Sequence, residues 1–284
     1  MTPSAISIKG LTKKYNNRFA VDGIDLEIGY GEIFAILGPN GAGKTTTVEI
    51  LEGYRKQDSG EVRVLGEDPG HLGDKTYSWR ERIGIVLQSS GDAADLSVRE
   101  VIHHFAKYYS KAKDPESVIA QTGLSEKADD KIRNLSGGQR RRLDVALGII
   151  GSPELLFLDE PTTGFDPEAR RAFWDLIRTL RDEGTTILLT THYLDEAEAL
   201  ADRVAVISAG KIIEVSSPEK LGGRHMAQAR ITWLEGGKQH ERFTSTPTAD
   251  VAIISTRVGG EIPELQVIRP SLEDVYLKMI GEAP

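Results

Sequence analysis

The sequence predicts an α/β protein: a parallel-sheet core with an antiparallel sheet at its start, an inserted helical block and a small α+β extension at its end. Between Glu32 and Ser208, short apolar runs alternate with helical stretches, as a parallel sheet requires. Before that core, apolar and polar residues alternate with a period of two, which is typical of antiparallel strands. The pattern changes again near residue 222, so the predicted domains are residues 1–221 and 222–284.

The antiparallel strands are predicted at "AISIKGL" and "VDGIDLEI", with turn residues between them. The next run, "EIFAIL" at residues 32–37, has no polar face and suits a strand that is buried on both sides. A glycine-rich loop and a helix follow it. Later core strands are predicted at "IGIVL", "ELLFLD", "TTILLTTH" and "RVAVIS".

The helical block covers about residues 90–150, and "SVREVIHHFAKYY" is its clearest amphipathic piece. In the extension, "ARITWLE", "VAIIS" and "ELQVI" are predicted to be strands. A last helix is predicted from Ser271, because Pro270 precedes it and Asp274 stands three residues further on, where a capping partner belongs.

Composition excludes several classes of function. The chain has 284 residues and a net charge of -8, which argues against a nonspecific nucleic-acid binder. It has no cysteine, which excludes disulfides, thiolate metal sites and cysteine nucleophiles. Its most apolar window, residues 145–158, is too short to cross a bilayer, and its start lacks a secretory signal. We therefore expect the chain in the cytosol.

The stretch "GPNGAGKTT" fits the pattern G-x-x-x-x-G-K-[ST] and lies between a predicted strand and a predicted helix. Such glycines let successive backbone N–H groups face phosphates, while Lys44 supplies positive charge and the Thr45 hydroxyl can ligate Mg²⁺. A glycine turn that only caps a helix is the alternative, but it does not require Lys-Thr at that offset. The predicted nucleotide-binding residues of this loop are Gly38, Pro39, Asn40, Gly41, Ala42, Gly43, Lys44, Thr45 and Thr46.

Asp159 and Glu160 follow an apolar strand, at the edge of the sheet where ligands bind in parallel α/β proteins. Asp159 can orient a water of the Mg²⁺ shell, and Glu160 can polarise the water that attacks a γ-phosphate. Without a phosphate loop, this pair is more typical of a solvated helix cap.

Gln88 and His192 each end a predicted strand. The Gln88 amide could reach the metal or the attacking water, and His192 could hydrogen-bond the γ-phosphate. A polar strand end and an ordinary histidine are the alternatives, and both residues gain weight only together with the other motifs.

In this order, "GPNGAGKTT", Gln88, "LSGGQ", "LLFLDEP", "GFDP" and "TTH" resemble the motifs of ATP-binding cassette subunits, whose signature is LSGGQ. The resemblance covers about residues 6–221. It implies a P-loop NTPase core with an N-terminal antiparallel β subdomain and an inserted helical subdomain, which binds ATP and Mg²⁺ and hydrolyses ATP.

The resemblance further implies that two cassettes pack head to tail, so that the signature of one completes the nucleotide site of the other. The N-terminus of a helix can grip a γ-phosphate there. A serine N-cap followed by flexible glycines is the alternative, and it leaves the paired glycines unexplained. The arginines at positions 140–142 are interpreted as a mostly solvated helical face. The signature residues assigned to the neighbour's ATP are Ser136, Gly137, Gly138 and Gln139.

Two further roles come from the resemblance. Tyr15 matches the aromatic residue that stacks on adenine, with Val21 beside it, although Asn16 stands where many relatives have glycine. An aromatic side chain that only packs is the alternative. Asp166 in "GFDP" matches the loop that signals across the dimer, and Phe165 replaces a commoner leucine there.

The stretches "TTHYLDEAEALADRVAVISAGKI" and "PSLEDVYLKMIG" resemble cassette subunits of bacterial exporters for drugs, lipids or polysaccharides. This implies an integral-membrane permease that docks near residues 88–99, a second cassette of the same or another chain, and a peripheral place at the cytoplasmic face of the membrane. The extension is expected to be a dimer-contact or regulatory unit. No nucleic-acid partner is expected. An ATPase in a soluble, non-transport assembly is the alternative, and a regulator without turnover is disfavoured by Glu160.

Overall fold

A computed structural model describes residues 4–86 and 94–281. The chain forms two compact units, Met1–Val215 and Ser216–Pro284. The division lies between residues 215 and 216, where the sequence suggested a boundary near residue 222.

Two sheets form the first unit. The antiparallel sheet has the order β2-β1-β4, and the second sheet has the order β5-β6-β7-β3-β8-β9. In chain order the strands are β1 (Ser4–Tyr15), β2 (Arg18–Gly29), β3 (Ile33–Leu37), β4 (Ser59–Val64), β5 (Ile83–Val86), β6 (Leu155–Asp159), β7 (Thr186–Thr191), β8 (Arg203–Ser208) and β9 (Lys211–Ser216).

The second sheet is parallel from β5 through β8. All five residues of β3 are buried, as expected for a strand covered on both faces. Leu37 pairs with Thr191 and Asp159 pairs with Thr190, so that β6, β7 and β3 end at one edge of the sheet. The loops that follow these three strands therefore meet there.

Several helices of the first unit begin at a residue whose side chain caps the first turn. Ser97 and Glu100 form a reciprocal capping box at the start of α3, and the Asp166 carboxylate accepts the Ala169 N–H at the start of α6. The helices of the first unit are α1 (Lys44–Leu51), α2 (Thr76–Arg80), α3 (Val98–Ala106), α4 (Pro115–Gln121), α5 (Gly137–Ile149), α6 (Pro167–Asp182) and α7 (Leu194–Leu200).

One apolar core joins the two sheets and α1. It includes Ile8 from β1, Phe34 from β3, Leu51 from α1 and Phe157 from β6, all at most 1% exposed. Trp79 closes it at one side, and its indole N–H donates to the Val64 carbonyl at 3.0 Å. The site below is thus built on rigid strand ends.

The second unit holds a three-stranded sheet of order β11-β10-β12, and β10 is antiparallel to both neighbours. Ile231 and Trp233 of β10 pack against Ile254 and Ile262 in a small core of their own. The elements of this unit are β10 (Ala229–Glu235), β11 (Lys238–Thr244), α8 (Pro247–Val258), β12 (Gln266–Ile268) and α9 (Leu272–Gly281).

The strand predicted at "VAIIS" is wrong, because residues 251–255 lie inside α8. Pro247 in the first turn and left-handed Gly259 at the end favour a helix, and these end signals outweigh the β-branched run between them. The predicted start of the last helix is confirmed: the Ser271 hydroxyl accepts the Asp274 N–H, and the Asp274 carboxylate accepts the Ser271 N–H. Across the described residues, every helix is too short or too polar to cross a bilayer.

Candidate active site

The phosphate loop connects β3 to α1. Lys44, only 7% exposed, reaches back over this loop and donates to the carbonyls of Gly38 at 2.7 Å and Pro39 at 3.2 Å. Burial lowers the pKa of Lys44, while the nearby charges of Glu160 and Asp159 act in the opposite direction. The ammonium group is thus bound by the loop carbonyls and lies near the acids at the end of β6.

Two glycines of the loop cannot be replaced. A Cβ on Gly43 would lie 2.2 Å from the Ala20 carbonyl oxygen, and Gly43 has a φ of 107°. A Cβ on Gly38 would lie 2.4 Å from the Ile207 carbonyl oxygen. Carbonyl groups of β2 and β8 therefore pack directly against the phosphate loop and leave no room for a side chain at Gly43 or Gly38.

The rest of the loop offers its outer side to a ligand. Pro39, Asn40, Gly41 and Thr45 are exposed. Ala42 is buried, and Thr46 is half-buried. Thr45 is the second residue of α1, within the first turn, where an α-helix leaves N–H groups without intrahelical partners.

Asp159 ends β6, and its carboxylate accepts a short hydrogen bond from the Thr190 hydroxyl of the neighbouring strand. Glu160 follows with a positive φ of 44°, and its N–H donates to the Thr190 carbonyl at 3.0 Å. A non-glycine residue in this region is strained, so the surroundings must fix Glu160 in place.

His192 lies beside Glu160. Its Nδ1 is 3.2 Å from Glu160 Oε1, and its ring packs on Tyr193 with 4.1 Å between ring centroids. His192 is exposed, whereas only 19% of the Glu160 side chain is exposed. The structure therefore brings together the predicted Lys44, Asp159, Glu160 and His192. Gln88 lies outside the described residues.

Of the two side chains predicted to contact adenine, Tyr15 is accessible and Val21 is not. Tyr15 is 38% exposed at the β1–β2 hairpin, whose turn residues Asn16 and Asn17 both have positive φ. Asparagine tolerates that conformation, so this two-residue turn does not need glycine. Val21 is fully buried in the core, which leaves its side chain no surface for a base.

The signature turn begins α5. The Ser136 hydroxyl accepts the Gln139 N–H at 3.3 Å, and the Gln139 amide oxygen accepts the Ser136 N–H at 2.9 Å. Gly137 and Gly138 lie in the first turn, where an α-helix leaves N–H groups without intrahelical partners. A crevice of about 360 Å³ lies between residues 136–139 and residues 164–166, and Asp166 is part of its wall.

The interpretation of positions 140–142 as a solvated face is wrong for Arg141. Arg140 and Arg142 are half-buried, but Arg141 is only 7% exposed. Its side chain points into the core because Val145 and Ile149, four and eight residues on, form the same buried stripe of α5. That spacing was visible in the sequence.

The sequence profile that describes the ABC transporter family matches residues 21–163, which include the phosphate loop, the signature and the two acids. The chain belongs to the ABC transporter family. It is an ATP-binding domain of that family and an ATPase. The family accounts for the association of a phosphate loop with a second, signature-type turn on one chain.

Two relatives from the ABC family match nearly the whole chain. The daunorubicin/doxorubicin resistance ATP-binding protein DrrA of Streptomyces peucetius is 37% identical, over 98% of this chain and 92% of that protein. The Nod factor export ATP-binding protein I of Burkholderia thailandensis is 38% identical, over 99% of this chain and 98% of that protein. Both alignments therefore include most of the second unit.

Solved cassettes share the fold. A cbiO1 structure from Clostridium perfringens, part of the ABC transporter complex cbiONQ, superposes with a TM-score of 0.69 at 30% identity, over 76% of this chain and 90% of that chain. A dimeric cassette bound to ADP and Pi in a post-hydrolysis state gives a TM-score of 0.67 at 24% identity, over 75% of this chain and 98% of that chain. The P-loop NTPase fold with its antiparallel β subdomain is thereby confirmed.

Sequence reasoning missed two residues of this ABC site. Thr190 holds Asp159, and its signal was a threonine near the end of a strand whose residues are all buried. Glu52, just after α1, has its pKa raised to about 8 by burial and by the charges of Asp159 and Glu49. Its signal was weaker, since an acid next to an apolar helix end is common on protein surfaces.

Proposed function

We propose that the chain powers the export of a drug-like, lipid or polysaccharide substrate through a separate membrane permease, with ATP bound between two cassettes. The named relatives, a drug-resistance protein and a Nod factor export protein, support this class of substrate. One observation carries the two-cassette arrangement: the crevice at the signature turn is lined by residues 136–139 and 164–166, with Arg142 and Ala169, and by no residue of the phosphate loop. A second phosphate-binding turn, separate from the phosphate loop, can bind the nucleotide of a neighbouring cassette.

The chain's own residues then divide the work. Lys44 and the N–H groups of the phosphate loop bind the phosphates, and Tyr15 stacks on the adenine. Glu160 accepts the proton of the attacking water, and His192 donates to the γ-phosphate. From the second cassette, Ser136 with the N–H groups of Gly137 and Gly138 grips the same γ-phosphate.

The residues present fit a Mg²⁺ ion. Thr45 and Asp159 offer a hydroxyl and a carboxylate, the oxygen ligands that Mg²⁺ prefers. No group of three acidic or histidine side chains that could hold a metal exists among residues 4–86 and 94–281. That agrees with an ion held by one or two protein oxygens, water and substrate phosphates. When bound, Mg²⁺ neutralises charge on the phosphates.

A cleft of about 470 Å³ beside Val86 is the proposed docking site for the permease. Phe105 from α3 and Leu147 from α5 give it apolar walls, Glu52 also lines it, and Arg80 adds positive charge. A groove at residues 88–99 was expected from the resemblance, and positions 87–93 of it lie outside the described residues. Docking there would place the chain at the cytoplasmic face of the membrane.

Binding of two ATP molecules closes the cassette pair, and hydrolysis reopens it. Closure moves the permease because ATP binds the closed pair more tightly than the open one. Residues 222–284 would act as a dimer-contact or regulatory unit, and the second cassette is either a copy of this chain or a related one.

Affinity isolation of the native protein tests the transport role. We expect Glu160→Gln, loaded with ATP, to bring down a membrane protein with several spans. Recovery of only a ribosome or a soluble scaffold would instead favour the alternative of an ATPase in a non-transport assembly.

A further inference from the structure

Arg141 is a buried cation that the binding and hydrolysis steps above do not use. It lies on α5, five residues after Ser136, and is 7% exposed. At a rise of 1.5 Å per residue, about 7.5 Å of helix separates the two positions. A buried guanidinium is costly unless its N–H groups are satisfied, so its partners identify what it holds.

Two of its partners are backbone carbonyls of the loop that contains Glu160, residues 159–161. The Arg141 Nε–H donates to the Pro161 carbonyl at 3.0 Å, and an η-nitrogen donates to the Asp159 carbonyl at 2.6 Å. These carbonyls stand immediately after and immediately before Glu160. The planar guanidinium therefore spans the residue whose φ is 44°.

Strand β7 holds the same loop from the other side. The Thr190 carbonyl accepts the Glu160 N–H, and the Thr190 hydroxyl donates to the Asp159 carboxylate. Glu160 is thus fixed between a rigid central strand and α5. Of these two, α5 is the element that begins with the signature turn.

We propose that Arg141 is a positioning residue that couples the signature turn to Glu160, so that hydrolysis in one nucleotide site depends on occupancy of the other. When the neighbour's ATP contacts Ser136, α5 takes up its closed position. Arg141 then sets the backbone on both sides of Glu160 in the chain's own site. This inference rests on the proposed roles of Ser136 and Glu160.

Steady-state ATP hydrolysis by the purified full chain tests the coupling. We expect Arg141→Met to lower kcat at least tenfold while the KM for ATP stays within about twofold, and to bring the Hill coefficient for ATP from above 1 to near 1. Arg141→Lys, which keeps the charge but has a single donor nitrogen, should recover part of kcat and of the cooperativity.

A matched control is Arg178→Met. Arg178 of α6 also donates to a main-chain carbonyl, that of Ala199 at 3.0 Å, but it touches neither motif. It should keep kcat and the Hill coefficient of the unmodified chain. If Arg141→Met does not fold, Arg141→Lys and Arg141→Gln give the same comparison.

An unchanged Hill coefficient in folded Arg141 variants would overturn the inference, whatever happens to kcat. So would an equal loss of kcat and ATP affinity, since that indicates a merely structural role. The Glu160→Gln variant shows whether the coupling alone is wrong or whether the proposed function of the site is wrong as well. If Glu160→Gln abolishes turnover but Arg141→Lys and Arg141→Met leave it intact, only the coupling is wrong; if Glu160→Gln turns over normally, the proposed role of Glu160 is wrong.

Discussion

His192 Nδ1 lies 3.2 Å from Glu160 Oε1 at adjacent strand ends of the central sheet. The imidazole can therefore orient the carboxylate, which leaves Nε2 as the ring nitrogen for the proposed hydrogen bond to the γ-phosphate. Because one hydrogen-bond donor aimed at developing charge contributes about 10²–10³ in rate, we expect His192→Ala to lower kcat about a hundredfold. ATP affinity should change less than tenfold.

Stopped-flow nucleotide binding and steady-state phosphate release separate these two effects. Glu160→Gln belongs in the same series and should retain ATP in a closed dimer without turnover. Rapid hydrolysis by Glu160→Gln would remove that residue from the chemistry and leave His192 without its proposed partner.

Lys44→Ala should weaken ATP binding at least tenfold. The lysine is nearly buried, spans its own loop and lies near two carboxylates, so its loss removes a charge-assisted contact to the phosphates worth about 1.5–3 kcal/mol. Titration calorimetry measures this. Lys75→Ala is the control, because Lys75 pairs with Glu67 on the surface and should leave ATP affinity unchanged.

Tyr15→Ala tests the adenine contact. Aromatic stacking on a base contributes about 1–3 kcal/mol, so ATP affinity should fall about 5- to 150-fold. Tyr15→Trp should restore it. The ring also lies near Arg55, 5.5 Å from the guanidinium carbon to the ring centroid, so a purely packing role predicts lower thermal stability with unchanged ATP affinity.

Glu52 predicts a pH-dependent stability. Burial, with the charges of Asp159 and Glu49, raises the pKa of its carboxyl to about 8, against about 4.3 in an unfolded chain. The folded state therefore holds a proton that the unfolded state releases. This contribution to stability is complete below about pH 4.3, declines above it and is lost as the pH rises through about 8.

We accordingly expect Glu52→Gln, which stays neutral, to gain stability relative to the unmodified chain by roughly 1–3 kcal/mol between pH 5 and pH 9. Denaturant unfolding of both proteins at each pH measures the difference. The exposed Glu126→Gln is the control and should show a flat difference. A flat difference for Glu52→Gln as well would mean that the carboxylate is charged in the folded protein at neutral pH.

The core strands could be predicted from the sequence because their apolar runs are fully buried and bounded by turns, and because the phosphate-loop spacing fixes a strand before it and a helix after it. The strand predicted at "VAIIS" was wrong because a short run of four apolar residues, three of them β-branched, fits either a strand or a helix. The end signals at Pro247 and Gly259 favour the helix. In the second unit β11 went unpredicted, since "KQHERFT" is exposed at all but its last residue and carries no apolar pattern.

At the site, motif residues were predictable because their chemistry fixes their spacing. The motif identifies the position of Val21 along the chain but not the direction of its side chain, which here is buried in the core, so its role at the adenine stays a prediction. Arg141 was misassigned for a related reason. A run of three arginines suggests a solvated face, yet the helical period places the middle one on the stripe of Val145 and Ile149.

In the proposed dimer, each ATP lies between the phosphate loop of one chain and the signature turn of the other. Cysteine cross-linking tests this arrangement directly. The chain has no cysteine, so single sites can be introduced without background. Asn40 is exposed on the loop, and a Cβ on Gly137 would meet nothing within 4 Å. One chain would carry Asn40→Cys and another Gly137→Cys, both with Glu160→Gln and distinct tags.

A short bismaleimide should join the two tagged chains when ATP is present and not when it is absent. The control pair, Asn40→Cys with the exposed Ser125→Cys, should stay unlinked. An ATP-dependent dimer that forms without the cross-link between positions 40 and 137, or that links the control pair equally well, would contradict the arrangement.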